Sequence, residues 1–146
     1  MKIKKILIVG GEGYLGRHLI ENLKEKTNLY ILDKQIKKKI KSKKIKYFDI
    51  NLLKKTKPKN LPNNLDVVFF FAGITGGPLS LNIKNFKKYL DSNCEILLNF
   101  LEIIKTSKIK KIIFTSTEHV YGDETKKNFN ALKNEPIPKN FYGVSK

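Results

Sequence analysis

The distribution of apolar residues along the chain predicts five strands. Apolar runs that are continuous, rather than alternating with polar residues, are typical of parallel strands covered on both faces. Two such runs fall in residues 4–11 (KKILIVGG) and 65–73 (LDVVFFFAG). Three further strands are predicted at residues 28–33 (NLYILD), 44–50 (KIKYFDI) and 108–116 (KIKKIIFTS).

Helical periodicity occupies two of the intervals between these strands. Residues 13–26 predict a helix whose apolar face is formed by Leu15, Leu19, Ile20 and Leu23. Residues 82–107 predict a second helix, with one stripe formed by Ile96, Leu97, Phe100, Leu101 and Ile104. The lysine-rich residues 34–46 are too hydrophilic to predict a helix, and residues 53–64, with their prolines and asparagines, predict a loop.

Strands that alternate with helices predict a parallel sheet joined by right-handed crossovers. We therefore expect an α/β fold, a doubly wound parallel sheet with strand order 3-2-1-4-5, in which residues 1–146 form one domain. A sheet of this type binds dinucleotides at the carboxyl ends of its strands.

A glycine triplet supports dinucleotide binding. GGEGYLG places Gly10, Gly13 and Gly16 directly between the first strand and the first helix. Gly10 permits a tight turn, Gly13 lets the backbone approach a pyrophosphate, and Gly16 lets the helix pack closely on the sheet. The amino end of the helix offers unpaired N–H groups and a partial positive charge to the anion.

Asp33 ends the second strand, where an acid commonly meets the adenosine ribose. Its carboxylate can accept hydrogen bonds from the ribose hydroxyls and would repel a 2′-phosphate. This favours NAD as the cofactor, although the neighbouring Lys34 could counter a phosphate charge.

The net charge of +17 does not alter the prediction of a dinucleotide-binding fold. Arg17 is the only arginine, so nearly all of the positive charge is lysine. Arginine is the side chain usually wanted for bidentate contacts with phosphates and bases. We therefore expect no nucleic-acid partner, and the alternative of a basic nucleic-acid binder rests on charge alone.

The remaining composition disfavours several other classes of protein. The sequence has no run of 18 or more apolar residues that could span a membrane. Its amino end reads as a strand rather than a signal peptide, so we expect a cytoplasmic protein. The single cysteine, Cys94, excludes an internal disulfide framework. Histidine, cysteine and carboxylate residues lack the spacing of metal ligands, and we predict no metal.

Further motifs follow in order along the whole chain. They are FDI at the third strand, FFAGIT at the fourth, YLDSNCEILLNFLE, FTSTEHVYG after the fifth strand, and FYGVSK. With the glycine loop they resemble the extended short-chain dehydrogenase/reductases, in the NAD-dependent epimerase/dehydratase family that acts on sugar nucleotides. Beyond the glycines and Asp33, the resemblance implies NAD contacts by Tyr14, Leu15, Asp49, Ile50, Phe71, Ala72, Gly73, Asn93 and Ser116.

The resemblance also implies a catalytic set of Thr117, Tyr142 and Lys146. Tyr142 and Lys146 lie about one helical turn apart and so share a face. A free tyrosine has a pKa of about 10, and a lysine cation together with the positive nicotinamide ring favours its phenolate. The phenolate would take a proton from a sugar hydroxyl while hydride passes to NAD. Thr117, rather than Ser116, would hydrogen-bond the same hydroxyl.

Several points stay open at this stage. Dehydratases of the family place an aspartate and a glutamate after the threonine, where this chain has Glu118 and His119, so dehydration is not established. The alternatives are an NADP-dependent reductase of the same fold and a non-catalytic dinucleotide sensor. A nucleotide-sugar substrate is the implied partner, and the full-length form could be a homodimer.

The extent of the chain leads to a further expectation. Members of the family continue beyond the lysine, with further strands and a substrate domain, so we expect a C-terminally incomplete fold without that domain. A single helical turn is marginal by itself. We therefore expect Tyr142 and Lys146 to be frayed, and the 146-residue chain alone to have negligible epimerase or dehydratase activity.

Overall fold

The computed structural model describes residues 3–37, 39–54, 56, 58–122, 130 and 132–146. It contains a five-stranded sheet with the order β3-β2-β1-β4-β5. All neighbouring strands run parallel. This confirms the predicted fold class and strand order. The strands are β1 (Lys5–Val9), β2 (Asn28–Asp33), β3 (Ile45–Asp49), β4 (Asn64–Phe70) and β5 (Lys108–Phe114).

The helices agree less closely with the sequence predictions. Helix α1 (Tyr14–Leu23) lies where it was predicted. The helix predicted over residues 82–107 is confirmed from Phe86 to Ile104, where every residue is helical. It consists of helix α2 (Phe86–Tyr89), a π-helix at Leu90–Glu95 and helix α3 (Ile96–Ile104). Before it lie 3-10 turns at Pro78–Leu81 and Ile83–Asn85. Further 3-10 turns lie at Leu52–Lys54 and Glu118–Tyr121, and helix α4 spans Phe141–Val144.

The buried face of α3 also differs from the predicted stripe. Leu101 is 41% exposed, whereas Ile103 and the polar Asn99 are buried. The amide of Asn99 donates a hydrogen bond to the backbone carbonyl of Leu52 over 2.9 Å. This bond satisfies a polar side chain in the core and turns the helix so that Leu101 faces outward.

The chain divides into two compact units, residues 1–72 with 96–115 and residues 73–95 with 116–146. The first unit contains the sheet. One sheet face packs against α3 and the 52–54 turn, and the other packs against α1. Phe70 and Phe100 are fully buried on the α3 side, with ring centroids 5.2 Å apart. Burial of a side chain of this size stabilises a fold by about 2 kcal/mol.

Asp66 ties together the amino ends of β1, β4 and β5. Its Oδ2 accepts hydrogen bonds from the backbone N–H groups of Lys4 and Lys5, at 2.8 and 3.0 Å. Its Oδ1 accepts one from Nζ of Lys110 at 2.5 Å. The bond from Lys110 and the two backbone N–H bonds lower the pKa of Asp66 to about 2. The carboxylate therefore stays charged wherever the protein is folded at ordinary pH.

The second unit is built from short helices and turns. Phe86 of α2 packs on Phe141 of α4 with ring centroids 4.9 Å apart. The ring centroids of Tyr89 and Tyr142 are 6.3 Å apart. Tyr89 and Tyr142 are both buried. Over the described residues of the whole chain, none of the helices is long and apolar enough to cross a lipid bilayer.

Candidate functional site

The glycine-rich turn after β1 has the backbone geometry that its sequence predicts. Gly10 has a φ of +85°, a conformation that favours glycine. A Cβ placed on Gly10 would lie 2.6 Å from the backbone nitrogen of Ala72, and one on Gly16 would lie 2.5 Å from the carbonyl oxygen of Gly10. Both glycines are therefore required by the close approach of backbone to backbone.

Gly13, unlike Gly10 and Gly16, is not required by a close approach of backbone to backbone. Its φ of −72° and ψ of 170° suit any residue. A Cβ placed there would meet only the carbonyl oxygen of Gly10, at 3.3 Å. Gly13 is exposed and immediately precedes α1. The open space beside it at the amino end of the helix fits an anion such as a pyrophosphate.

Asp33 and Asp49 lie opposite each other at the carboxyl ends of β2 and β3. Oδ2 of Asp33 accepts a hydrogen bond from the backbone N–H of Glu12 at 2.9 Å, and Oδ1 accepts a longer one of 3.4 Å from the N–H of Gln35. A carboxylate has about four acceptor positions. Asp33 therefore holds the glycine-rich turn and still has acceptor capacity for a ribose hydroxyl.

An ion pair that the sequence analysis did not predict lies within the glycine-rich turn. Nη2 of Arg17 contacts Oε2 of Glu12 at 2.7 Å, and Nε of Arg17 donates to the backbone carbonyl of Glu12 at 3.0 Å. The side chain of Glu12 is only 10% exposed and that of Arg17 is 50% exposed. The five-residue separation of an acid and a base was a possible signal, but it joins a residue of the turn to one of α1 and is not a helical spacing.

The remaining predicted cofactor residues lie in both units. In the first unit, Tyr14 and Leu15 are exposed on the first turn of α1, and Ile50, Phe71 and Ala72 are half-buried after β3 and β4. In the second unit, Gly73 and Ser116 are exposed and Asn93 is buried. Their contacts with a cofactor stay predictions.

The Tyr-x-x-x-Lys segment is more ordered than the sequence analysis expected. Asn140 caps α4, because its Oδ1 accepts a hydrogen bond from the backbone N–H of Gly143 at 2.8 Å. Tyr142 is 9% exposed and Ser145 is 5% exposed. The expectation that Tyr142 is frayed is therefore wrong, because packing and capping hold the single turn that helix propensity alone would not.

Asn93 is the central hydrogen-bonding residue of the second unit. Its Oδ1 accepts from the backbone N–H of Ile74 at 2.8 Å, and its Nδ2 donates to the carbonyl of Ile74 at 3.2 Å and to Oγ of Ser145 at 2.7 Å. Oγ of Ser145 donates in turn to the carbonyl of Tyr142 at 2.8 Å. This chain of bonds fixes α4 against the segment that begins at Gly73.

Thr117 lies at the start of the 118–121 turn, and this turn packs against α4. The hydroxyl of Thr117 accepts a hydrogen bond of 3.4 Å from the backbone N–H of His119. The ring of His119 meets the ring of Tyr142 edge-on, with centroids 5.6 Å apart. A Cβ on Gly143 would lie 2.4 Å from the carbonyl oxygen of His119. The structure thus brings the loop of Thr117 and the helix of Tyr142 together.

Lys146 lies beside the exposed Gly73 of the same unit. A Cβ placed on Gly73, whose φ is +145°, would lie 2.5 Å from Oδ1 of Asn93 and 3.3 Å from Nζ of Lys146. Burial lowers the pKa of Lys146 below its ordinary value of 10.5, against a smaller opposite effect of Cys94. A side chain at position 73 would therefore crowd Asn93 and Lys146, and glycine avoids this.

Sequence reasoning missed the supporting residues Asn140, Ser145 and Gly76. A Cβ on Gly76 would lie 2.5 Å from Cδ1 of Tyr142, so this glycine seats the tyrosine ring. Asn140 carried a usable signal, because asparagine is a preferred helix cap and FYGVSK follows it directly. Ser145 carried none, since its partner Asn93 is 52 residues away.

The chain resembles known proteins over nearly its whole length. The sequence model of the NAD dependent epimerase/dehydratase family matches residues 6–146. UDP-N-acetyl-alpha-D-glucosaminuronate decarboxylase of Bacillus cytotoxicus is 34% identical over 128 residues, covering 84% of this chain and 39% of that protein. dTDP-D-glucose 4,6-dehydratase of Dictyostelium discoideum is 29% identical, covering 99% of this chain and 38% of that protein.

A solved structure of an epimerase has a fold similar to that of this chain. A mutant UDP-glucuronic acid 4-epimerase from Bacillus cereus, in complex with UDP-4-deoxy-4-fluoro-glucuronic acid and NAD, is 26% identical with a TM-score of 0.75. The match covers 97% of this chain and 48% of that one. The chain therefore spans less than half the length of these relatives.

These matches confirm the resemblance on which the site predictions rest, and they agree with the predicted cofactor, because the family is NAD dependent. The match of the family model over almost the entire chain decides the assignment. This chain belongs to the NAD dependent epimerase/dehydratase family.

Proposed function

We propose that residues 1–146 are the NAD-binding part of an enzyme that epimerises or dehydrates a sugar nucleotide, and that they form one functional domain. The observation that carries this proposal is the seating of Tyr142. Its helix is capped by Asn140 and bonded through Ser145 to the buried Asn93, and Lys146 follows on the same turn. A tyrosine held this firmly, with a lysine four residues further along the chain, suits a base that must meet one hydroxyl in one orientation.

The first unit supports the proposed cofactor. The backbone of the turn at Gly10, Gly13 and Gly16 would hold the pyrophosphate, since Gly13 leaves space that no protein atom requires. Asp33 would accept a hydrogen bond from the adenosine ribose, and Asp49 and Ile50 would meet the adenine. The family is NAD dependent, and the Bacillus cereus relative was solved with NAD.

In the proposed chemistry, Tyr142 is the base that accepts a proton from the substrate. The phenolate accepts the proton of a sugar hydroxyl as the carbon that bears it is oxidised to a ketone. When bound, NAD supplies the acceptor for the hydride that this carbon loses. The ammonium of Lys146 stabilises the phenolate, and Thr117 hydrogen-bonds the reacting hydroxyl. In an epimerisation Tyr142 would return its proton to the ketone oxygen when that carbon is reduced from the opposite face, and a dehydration requires further proton transfers.

Residues beside Thr117 bear on the choice between epimerase and dehydratase. Glu118 is largely exposed, and its Oε1 lies 3.7 Å from Nε2 of His119. His119 also packs against Tyr142. One carboxylate and one imidazole can both move protons, so we keep epimerisation and dehydration together in the proposal. A cytoplasmic location and a homodimeric full-length form are part of it.

A chimera tests the catalytic assignment. Residues 1–146 are joined to the part of the Bacillus cereus epimerase that follows the matched region, and turnover of UDP-glucuronic acid is measured with NAD. We expect epimerisation, and a loss of about 10²-fold or more in the Tyr142→Phe chimera, because it removes the base. The Tyr89→Phe chimera is the matched control.

NAD binding by the chimera reports whether it has folded. A chimera that binds NAD and fails to turn over substrate would contradict the catalytic roles and favour the non-catalytic sensor. Equal turnover by the wild-type and Tyr142→Phe chimeras would contradict the role of Tyr142 alone.

A further inference from the structure

The only arginine of the chain is held by an acid inside the glycine-rich turn. Two of the five N–H donors of Arg17 are directed to Glu12, one to its carboxylate at 2.7 Å and one to its backbone carbonyl at 3.0 Å. The side chain of Glu12 is 10% exposed, whereas that of Arg17 is 50% exposed. A charge-assisted hydrogen bond of this kind is stronger than one between neutral groups.

This pair lies beside the group that is proposed to read the adenosine ribose. The backbone N–H of Glu12 donates to Oδ2 of Asp33 over 2.9 Å. A ribose that hydrogen-bonds Asp33 is therefore close to the backbone of Glu12. Dinucleotide-binding folds that accept NADP hold the 2′-phosphate with an arginine near this ribose.

We propose that Glu12 determines cofactor choice by sequestering Arg17, so that the arginine is kept from a 2′-phosphate and the site prefers NAD. The inference rests on the proposed function, because it requires that the turn binds a dinucleotide. It assigns to Glu12 a role distinct from that of Asp33. Asp33 repels the phosphate directly, whereas Glu12 withholds the cation that would attract it.

The physical reason is the choice of anion available to the guanidinium. Arginine forms bidentate hydrogen bonds with carboxylates and with phosphates alike. While the carboxylate of Glu12 is present, binding of a phosphate must break the existing bond and bring a second negative charge beside the first. When the carboxylate becomes an uncharged amide, the guanidinium keeps its position on α1 and gains freedom to meet the phosphate.

Calorimetric titration with NAD and with NADP tests the proposal on four variants. Glu12→Gln should tighten NADP binding about tenfold and change NAD binding by less than about threefold. The double variant Glu12→Gln/Arg17→Ala should lose that gain, because the cation is absent. Arg17→Ala alone should leave the ratio of the two affinities within about twofold of wild type.

The matched control is Glu21→Gln. Glu21 also lies on α1, is exposed and pairs with Lys24, so this variant removes the same charge from the same helix without touching the turn. It should leave both affinities unchanged. NAD binding by each variant shows that the turn has kept its structure.

Four results would overturn the inference. Wild-type protein that binds NADP more tightly than NAD would do so. So would Glu12→Gln without a gain in NADP affinity, or a gain that survives in the double variant. A tenfold loss of NADP binding in Arg17→Ala alone would show that the arginine already serves the phosphate. If the wild-type protein bound neither dinucleotide, both this inference and the proposed function would be wrong, whereas the first four results leave NAD binding itself intact.

Discussion

The side-chain amide of Asn93 donates a hydrogen bond of 2.7 Å to the hydroxyl of Ser145, and that hydroxyl donates to the backbone carbonyl of Tyr142 at 2.8 Å. A buried asparagine thus anchors the turn that carries the proposed base. Asn93 is 2% exposed and all of these atoms lie in one compact unit.

We expect Asn93→Ala to destabilise the protein by about 1–3 kcal/mol, because it leaves the N–H and carbonyl of Ile74 and the hydroxyl of Ser145 without their partner in a shielded place. The free energy of unfolding in urea measures this. The control is Asn22→Ala, which removes an exposed amide bonded to the carbonyl of His18 and should change stability by less than about 0.5 kcal/mol. Equal effects of the two variants would contradict the anchoring role.

Two glycines of the turn, Gly16 and Gly13, should respond differently to alanine. Gly16→Ala forces a Cβ to within 2.5 Å of a carbonyl oxygen, so we expect it to cost about 2 kcal/mol or more in unfolding free energy. Gly13→Ala brings a Cβ to 3.3 Å from a single carbonyl oxygen, so we expect it to cost less unfolding free energy than Gly16→Ala does. It should nonetheless weaken NAD binding about tenfold, because the backbone approach to the pyrophosphate is blocked. A Gly13→Ala protein with unchanged NAD affinity would remove the case for this turn as the pyrophosphate site.

The contribution of Asp66 to stability should depend on pH. Its pKa in the folded protein is lowered to about 2 from an ordinary value of 3.8. The unfolded chain therefore takes up this proton first, and the stabilisation is present above about pH 4 and is lost as the pH falls toward 2. Thermal unfolding of wild type and Asp66→Asn should differ at pH 7 and converge as the pH falls to about 2. A constant difference over that range would show that Asp66 acts through packing and not through its charge.

Lys146 should lower the stability of the unit in which it lies. Burial lowers its pKa below 10.5, so the folded protein holds this proton less tightly than the unfolded chain does, and the penalty is relieved only as the pH rises toward 10.5. We expect Lys146→Met to keep or raise the melting temperature at pH 7. Lys133→Met, an exposed lysine in the same unit, should leave it unchanged. A fall of several degrees in Lys146→Met alone would show that the cation stabilises the fold.

The sequence predicted the sheet and the positions of the turns better than it predicted the bonds around the site. Continuous apolar runs and right-handed crossovers determine the strand order, and the spacing of Gly10 and Gly16 determines a turn that the structure confirms. These features are local or follow from general rules of chain geometry. The helix predicted over residues 82–107 is confirmed for Phe86–Ile104, but its apolar period carries no sign of the π-helix at Leu90–Glu95.

Long-range contacts explain the other differences. Asn99 faces the core because its amide donates a hydrogen bond to a carbonyl 47 residues away. Ser145 anchors α4 because its hydroxyl accepts a hydrogen bond from Asn93, 52 residues away in the sequence. Neither pairing leaves a pattern in the sequence, so the burial of Tyr142 could not be derived from the propensity of FYGVSK alone.

Every proposed role depends on a cofactor bound at the glycine-rich turn, so calorimetric titration of the wild-type chain with NAD is the decisive measurement. We expect saturable binding at one site per chain, with a dissociation constant of about 1–100 μM and weaker binding of NADP. Absence of saturable binding by folded protein up to about 1 mM NAD would contradict this expectation.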